Sequence, residues 1–240
     1  MEYTIYDCWI DGLLFRFRDT VGSNTVSLVV QELLSDEYGL RNITLEKEDT
    51  FIDVGANIGI VSIFAKKKFG CKVIAFEPVP ENLDSFKYNI ELNGFKLSDF
   101  EIHEKAVSDR DGKIVKLTKL KDNMGASGIY WQDADIKDEV ETITLGRFLA
   151  PDVKYLKMDC ELSEYDIIPT IKDKLQYLKY IGIEFHRAFY DQYPIYLYYQ
   201  LRETFKGQMF ISCWNFQPED LTAVLKLEDF KYMNDLKHIQ

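Results

Sequence analysis

The stretch Phe51-Ile52-Asp53-Val54-Gly55-Ala56-Asn57-Ile58-Gly59, followed by Val73-Ile74-Ala75-Phe76-Glu77-Pro78, decides the fold of this chain. Phe51, Ile52 and Val54 suit a strand buried on both faces. Gly55 and Gly59 allow a tight turn with close backbone approach, and Ile60, Ile63 and Phe64 then recur at helical spacing. The pattern predicts strand, turn and helix, with exposed amides at the helix N-terminus facing a ligand's polar group. A second apolar strand over 73–76 then delivers the Glu77 carboxylate to the place where α/β sheets hold ribose hydroxyls.

A dinucleotide fingerprint requires glycine at the first, third and sixth places of the turn, where this chain has Gly55, Asn57 and Ile60. The missing glycines are the ones that let backbone approach a pyrophosphate. S-adenosylmethionine carries no phosphate but has an amino-acid end and a sulfonium, and Asp53 at the strand end is positioned to help receive its ammonium.

With Arg18-Asp19-Thr20 and Glu37-Tyr38 upstream, and Glu81-Asn82, Ala106-Val107-Ser108, Lys157-Met158-Asp159-Cys160-Glu161 and Glu164 downstream, the chain resembles the FkbM family of S-adenosylmethionine-dependent methyltransferases from about Asp49 through His186. The resemblance implies a class I, Rossmann-like α/β fold: a mostly parallel seven-stranded sheet flanked by helices, with a small N-terminal β/α extension. It also implies methyl transfer, commonly to a hydroxyl of a sugar or another small molecule, and it places Ala106 and Val107 beside the adenine. Two positions depart from the family pattern. Leu162 stands where Asp-x-Glu-Gly would end, and Gly146 stands where Thr-Leu-Asp would end.

At 240 residues, 46% hydrophobic and 14% aromatic, the chain is long enough to bury one sizeable core. We read residues 1–48 as the N-terminal extension, packed on the core, and 49–240 as the methyltransferase domain, together one structural domain. A net charge of -11 repels a phosphate backbone, so no nucleic-acid partner is expected. Cys8, Cys71, Cys160 and Cys213 lie far apart without a C-x-x-C pair, which reads as free thiols in a reducing compartment. With no basic leader and no run long enough to span a bilayer, a cytoplasmic location is expected.

Tyr3–Phe17 with Asp11-Gly12 predicts a hairpin, and 27–34 a helix covering the cofactor edge or the sheet. Pro80-Glu81 opens a second core helix that Gly94 ends. Core strands follow over 100–107, 155–158 and 180–185, with further short strands at 113–117 and 141–145 and closing strands at 208–214 and 223–227. Between the short strands, the polar segment 121–138, bearing Met124, Ile129, Tyr130 and Trp131, reads either as a substrate cap or as a surface insertion. Ser163 is a plausible cap for a helix that Pro169 should kink or end. Lys66, Lys67 and Lys68 read as a solvated helix end, and the tyrosines at 190, 193, 196, 198 and 199 as core packing that is also able to stack on sugar faces.

Ligands of doubly wound sheets sit beyond the carboxyl ends of strands, so Asp53, Glu77, Asp159 and Glu184 should converge. The expected cofactor site comprises Asp53, Gly55, Ala56, Asn57, Gly59, Glu77, Pro78, Ala106, Val107 and Asp159; Glu161, Glu184 and His186 are expected to bind the acceptor. His186 is the first choice of general base because an unperturbed imidazole titrates near neutrality, with Glu161 and Asp159 as competitors. No metal is assigned. Asp159 and Glu184 offer oxygen ligands for Mg²⁺, but the usual neighbouring carboxamide or second Asp is missing. The expected reaction is S-adenosylmethionine-dependent O-methylation of a carbohydrate or glycan hydroxyl. The alternatives are a polyketide or other small metabolite as acceptor, a non-catalytic nucleoside-binding module, and a dehydrogenase.

Overall fold

The computed structural model describes residues 2–120, 123–128, 136–186 and 194–214. The chain opens with a hairpin of β1 (Tyr3–Ile10) and β2 (Leu13–Thr20). Its turn residues Asp11 and Gly12 both have positive φ, at 51° and 76°, the primed geometry that matches strand twist. Helix α1 (Thr25–Ser35) follows, and Asp19 fixes its start by accepting the Val26 amide at 3.2 Å. Next come β3 (Thr50–Val54), α2 (Ile60–Phe69), β4 (Lys72–Phe76) and α3 (Pro80–Leu92), which opens with proline in its first turn as the sequence predicts.

Residues 100–107 do not form one strand. They divide into β5 (Glu101–His103), paired with β4, and β6 (Ala106–Ser108), which leaves the main sheet to run parallel to another strand. That partner is β9 (Ile136–Thr144), which also pairs antiparallel with β7 (Ile114–Leu120); β7 in turn pairs with β8 (Asn123–Gly128). The segment read as a polar loop therefore contains β8, while Ile129, Tyr130 and Trp131 lie outside the described residues. The chain then forms β10 (Val153–Met158), α4 (Glu164–Ile171), β11 (Tyr180–His186), α5 (Pro194–Thr204) and β12 (Gln208–Trp214). The strand expected at 223–227 lies outside the described residues. Pro169 sits inside α4 without ending it, and Ser163 makes no side-chain cap bond.

The main sheet runs β12-β11-β10-β3-β4-β5, with every pair parallel. Seven strands were expected; the described sheet has six, and the seventh expected strand, at 223–227, lies outside the described residues. Strand order reverses between β3 and β10, and a ligand crevice belongs beyond the carboxyl ends of strands at such a point. One face of the sheet is covered by α1, α2 and α3 together with the hairpin, through Phe15, Phe17, Phe64 and Phe86; the other is covered by α4 and α5, through Ile167, Ile171, Leu197 and Leu201. The lysines at the end of α2 anchor the hairpin as well as suiting the helix dipole: Lys67 donates to the Leu14 carbonyl and Lys68 to Asp11 at 2.8 Å.

Two contacts fix the crevice. Gly55 has φ 79°, and a Cβ there would sit 1.8 Å from the Asp159 carbonyl oxygen, so β3 and β10 can end side by side only with glycine at this place. Lys157, 2% exposed, donates to the Gly55 carbonyl at 2.9 Å and lies 3.3 Å from Asp53 and 3.6 Å from Asp159. Burial alone would lower its pKa, but the Asp53 and Asp159 charges outweigh that and hold the ammonium well above its ordinary value.

Lys157→Met should therefore lower unfolding free energy in urea by about 3–5 kcal/mol, because it leaves buried Asp53 without its cation; adding Asp53→Asn should recover part of the loss. An unchanged midpoint in the single variant would show that the pair contributes nothing. Gly55→Ala should cost at least about 2 kcal/mol more than Gly70→Ala, which shares a positive φ of 68° but meets open space.

Candidate active site

The crevice at the switch point is a pocket of about 630 Å³ including its mouth, walled by Val54, Gly55, Asn57, Phe76, Glu77, Pro78, Val79, Asn82, Lys105, Ala106, Val107, Leu117, Asp159, Cys160, Glu161 and Ser163. The glycine turn forms one side. Contrary to the sequence reading, its amides are not free to face a ligand: those of Gly55 and Ala56 both donate to the Phe76 carbonyl at 3.0 Å, and that of Asn57 to Glu77 Oε2 at 2.7 Å. Glu77 Oε1 also accepts from the Val79 amide at 2.9 Å and from Asn82 Nδ2 at 3.2 Å. Burial raises the Glu77 pKa to about 7 against the lowering effect of these donors. Asn57 Oδ1 is buried with no hydrogen-bond partner, an acceptor on the pocket wall that a ligand's N–H or O–H would satisfy.

Behind the wall lies a polar layer. Asp53 is fully buried; its Oδ2 accepts from Ser62 Oγ at 2.7 Å and its Oδ1 faces Lys157. It stands behind the pocket rather than on it, so it supports the turn through Lys157 and does not itself meet a cofactor ammonium. Ala56 and Gly59 are likewise off the wall: Gly59 packs against the Phe86 ring, where a Cβ would lie 1.9 Å away. Asp159 Oδ2 accepts from Tyr38 Oη at 3.3 Å, and the same hydroxyl lies 3.4 Å from Glu32 Oε2. Burial, then the charges of Asp159 and Glu37, raise the Glu32 pKa to about 7. Glu32, Ser62 and Lys157 are the residues of this layer that sequence reasoning missed. Lys157 stood inside a quoted motif, whereas Glu32 occupies one place in an ordinary helix and gives no local signal.

Beside Asp159 and off the pocket wall itself, β11 brings in Glu184 and His186. His186 Nδ1 lies 3.3 Å from Glu164 Oε1, and its Nε2 lies 3.8 Å from Asp159 Oδ1 and 3.6 Å from Glu161 Oε2. Burial would lower the His186 pKa, but the Glu164 hydrogen bond and the charges of Glu164, Asp159 and Glu161 raise it to about 10. These neighbours favour the charged form of the ring, which has no free lone pair, and so argue against His186 as the general base. Glu164, fully buried at the first position of α4, also accepts the Cys160 amide at 3.0 Å, so it orients both the strand-end loop and the histidine. Burial and the Asp159 charge hold the Glu184 carboxyl well above the usual carboxylate range. Asp159, Glu161, Glu184 and His186 thus lie together; of the four strand-end residues expected to converge, Asp159 and Glu184 meet here, Glu77 lies on the pocket wall and Asp53 behind it.

The two departures from the family pattern separate in space. Leu162 has φ 81° and Glu161 φ 52°, consecutive left-handed residues; the place where the family pattern has glycine does impose glycine-type backbone, and buried Leu162 adopts it under strain. Gly146 lies in a short 3₁₀ turn and its surroundings are Thr170 and Lys174, away from the pocket wall. His103 is structural, bonded to Glu101 at 2.7 Å and stacked on Phe76.

A family model described as the methyltransferase FkbM domain matches residues 53–232. The chain is 30% identical over 136 residues to the 31-O-demethyl-FK506 methyltransferase FkbM of Streptomyces tacrolimicus, covering 55% of this chain and 51% of that protein. It is 28% identical over 153 residues to Methyltransferase 1 of Beauveria bassiana, covering 53% and 60% respectively. The chain thus spans between half and three-fifths of the length of these relatives. A crystal structure of a SAM-dependent methyltransferase from Agrobacterium tumefaciens aligns with a TM-score of 0.44 at 13% identity, covering 87% of this chain and 61% of that one. With its parallel sheet, its glycine turn and a domain match over three-quarters of its length, the chain belongs to the FkbM methyltransferase family, and its cofactor is S-adenosylmethionine.

Proposed function

We propose that this chain transfers a methyl group from S-adenosylmethionine to a hydroxyl of a carbohydrate or glycan, with residues 49–240 as the catalytic domain and 1–48 as an extension that supplies Glu32 and Tyr38 to the site. The observation that carries this reading is the convergence of Asp159 and Glu161 on the pocket wall with Glu184 beside them, since carboxylates accept the hydrogens of a polyol. The bound cofactor supplies a methyl on a sulfonium: the acceptor oxygen takes the methyl, the S–C electron pair stays on sulfur, and the hydroxyl proton leaves to a base.

We assign the apolar wall of Phe76, Val79, Ala106 and Val107 to the adenine and ionised Glu77 to the ribose hydroxyls. Asn57 Oδ1 and the turn behind it hold the cofactor from the other side. Glu161 is assigned the proton. It lines the pocket, and His186, whose Nε2 lies 3.6 Å from its Oε2, positions it for the acceptor. The name of the Streptomyces relative favours a second reading, in which the acceptor oxygen belongs to a macrolide-like metabolite. Free thiols at Cys8, Cys71 and Cys160 support a reducing, cytoplasmic setting. Among the described residues, no helix is long and apolar enough to cross a membrane.

Release of S-adenosylhomocysteine with a panel of glycans and macrolides is the direct test. Donor binding by calorimetry without turnover on any hydroxyl acceptor would sink the proposal. Glu161→Gln should lower kcat by about 10²–10⁴-fold while donor affinity changes less than about threefold; an unaltered kcat removes Glu161 from the role. Donor affinity itself should rise with pH through about 7, because the ribose hydroxyls donate to the ionised Glu77, which dominates only above that value. Glu77→Ala should weaken binding by about 10–100-fold and abolish this pH dependence, and a variant that kept the same slope would assign it to another group.

A further inference from the structure

We infer that Asp159, Glu184 and His186 form a binding site for one divalent transition-metal cation, placed to hold the acceptor oxygen beside the cofactor pocket. The part played in methyl transfer rests on the function proposed above; the site itself rests on geometry alone.

One ligand atom from each of the three residues lies within 4.8 Å of the other two. An ion with bonds of about 2.0–2.2 Å separates its ligands by about 3–4.4 Å, so the three need only a small inward movement to share it. His186 is oriented as a metal ligand is, and an ion binding at its Nε2 would displace the proton that the surrounding carboxylates hold there. Its Nδ1 is turned to Glu164 Oε1 at 3.3 Å, which leaves Nε2 facing Asp159 Oδ1 at 3.8 Å. A carboxylate on the far ring nitrogen is the usual outer partner of a metal-bound histidine, since it fixes both tautomer and ring direction. Asp159 divides its two oxygens in a matching way: Oδ2 faces Lys157 and Tyr38, and Oδ1 faces the histidine.

Glu184 is only 7% exposed, and the positive charge that acts on it is that of His186 in the same cluster. An ion that displaced the Nε2 proton would put a larger charge into the space the two carboxylates share, where a buried carboxylate gains most from a bonded cation. Lys157, the other nearby cation, is committed to Asp53, the Gly55 carbonyl and the opposite oxygen of Asp159. The mixed nitrogen and oxygen donor set favours Mn²⁺, Fe²⁺ or Zn²⁺ over Mg²⁺ and Ca²⁺, which prefer oxygen throughout. A search of the sequence for a third oxygen ligand misses this site, because the third ligand is the imidazole. Asp159 also lines the pocket, so an ion held here would present its open positions to an acceptor hydroxyl, within reach of Glu161.

Mn²⁺ is the probe, added to the whole chain after chelator treatment and followed by electron paramagnetic resonance of the free ion. We expect one Mn²⁺ per chain with micromolar affinity. Glu184→Gln should weaken that affinity at least about tenfold while S-adenosylmethionine binding, which reports the fold, changes less than about threefold. Absence of saturable binding to the unsubstituted chain at millimolar Mn²⁺, with the donor still bound, overturns the site, as does binding that Glu184→Gln leaves unaltered. Methyl transfer undiminished by excess chelator overturns the ion's part in the reaction and leaves the methyltransferase reading standing. Stoichiometric Mn²⁺ binding without turnover on any hydroxyl acceptor supports the site and removes the acceptor assignment instead.

Discussion

The buried ammonium of Lys157 is the contact on which the rest of the site depends. Three groups reach it from different parts of the chain: the Asp53 carboxylate from β3, the Gly55 carbonyl from the turn, and Asp159 from the end of its own strand. Each would be costly to bury alone. Together they hold the carboxyl ends of the two central strands at one level, with the Tyr38 ring 5.4 Å from the ammonium. The close approach that excludes a Cβ at Gly55 is the steric face of the same constraint. A nucleoside turn and a carboxylate cluster are therefore parts of one electrostatic unit.

The unit carries more acid than base. Around Lys157 and His186 stand Glu32, Asp53, Asp159, Glu161, Glu164 and Glu184, drawn from the extension, three strand ends and one helix N-terminus. This surplus explains why His186 does not behave as its position in the chain suggests. A histidine following a strand at a ligand crevice is a natural base, but three carboxylates around one ring stabilise its charged form and remove the lone pair a base requires. The same surplus leaves room for a cation, whether it belongs to a ligand or is a metal ion.

Backbone strain is concentrated where the chemistry is. Glu161 and Leu162 both adopt left-handed backbone immediately after Asp159, and the Glu164 carboxylate pins the loop by accepting the Cys160 amide. The glycine found at this place in the family pattern removes the strain. This chain keeps a leucine whose buried side chain offsets part of the cost, and so retains the loop geometry with a different residue.

Much of the fold was legible from residue order alone. Period, turn chemistry and strand-end residues located β3, α2, β4, α3, β10 and β11, because each depends on local pattern: continuous apolar runs, proline at a helix start, glycine where φ must be positive. That Asp159 and Glu184 meet was legible too, since parallel strands place their carboxyl ends together. The sequence by itself determined which strand ends meet at the crevice. Only the tertiary structure decided how they are placed there: that Asp53 lies behind the wall, that the turn amides are already bonded to Phe76 and Glu77, that Glu32 joins the site from α1, that residues 100–107 serve two sheets, and that three carboxylates surround the His186 ring and favour its charged form. The physical reason is that burial and charge are sums over neighbours brought together from distant parts of the chain, and no local window of sequence contains those sums.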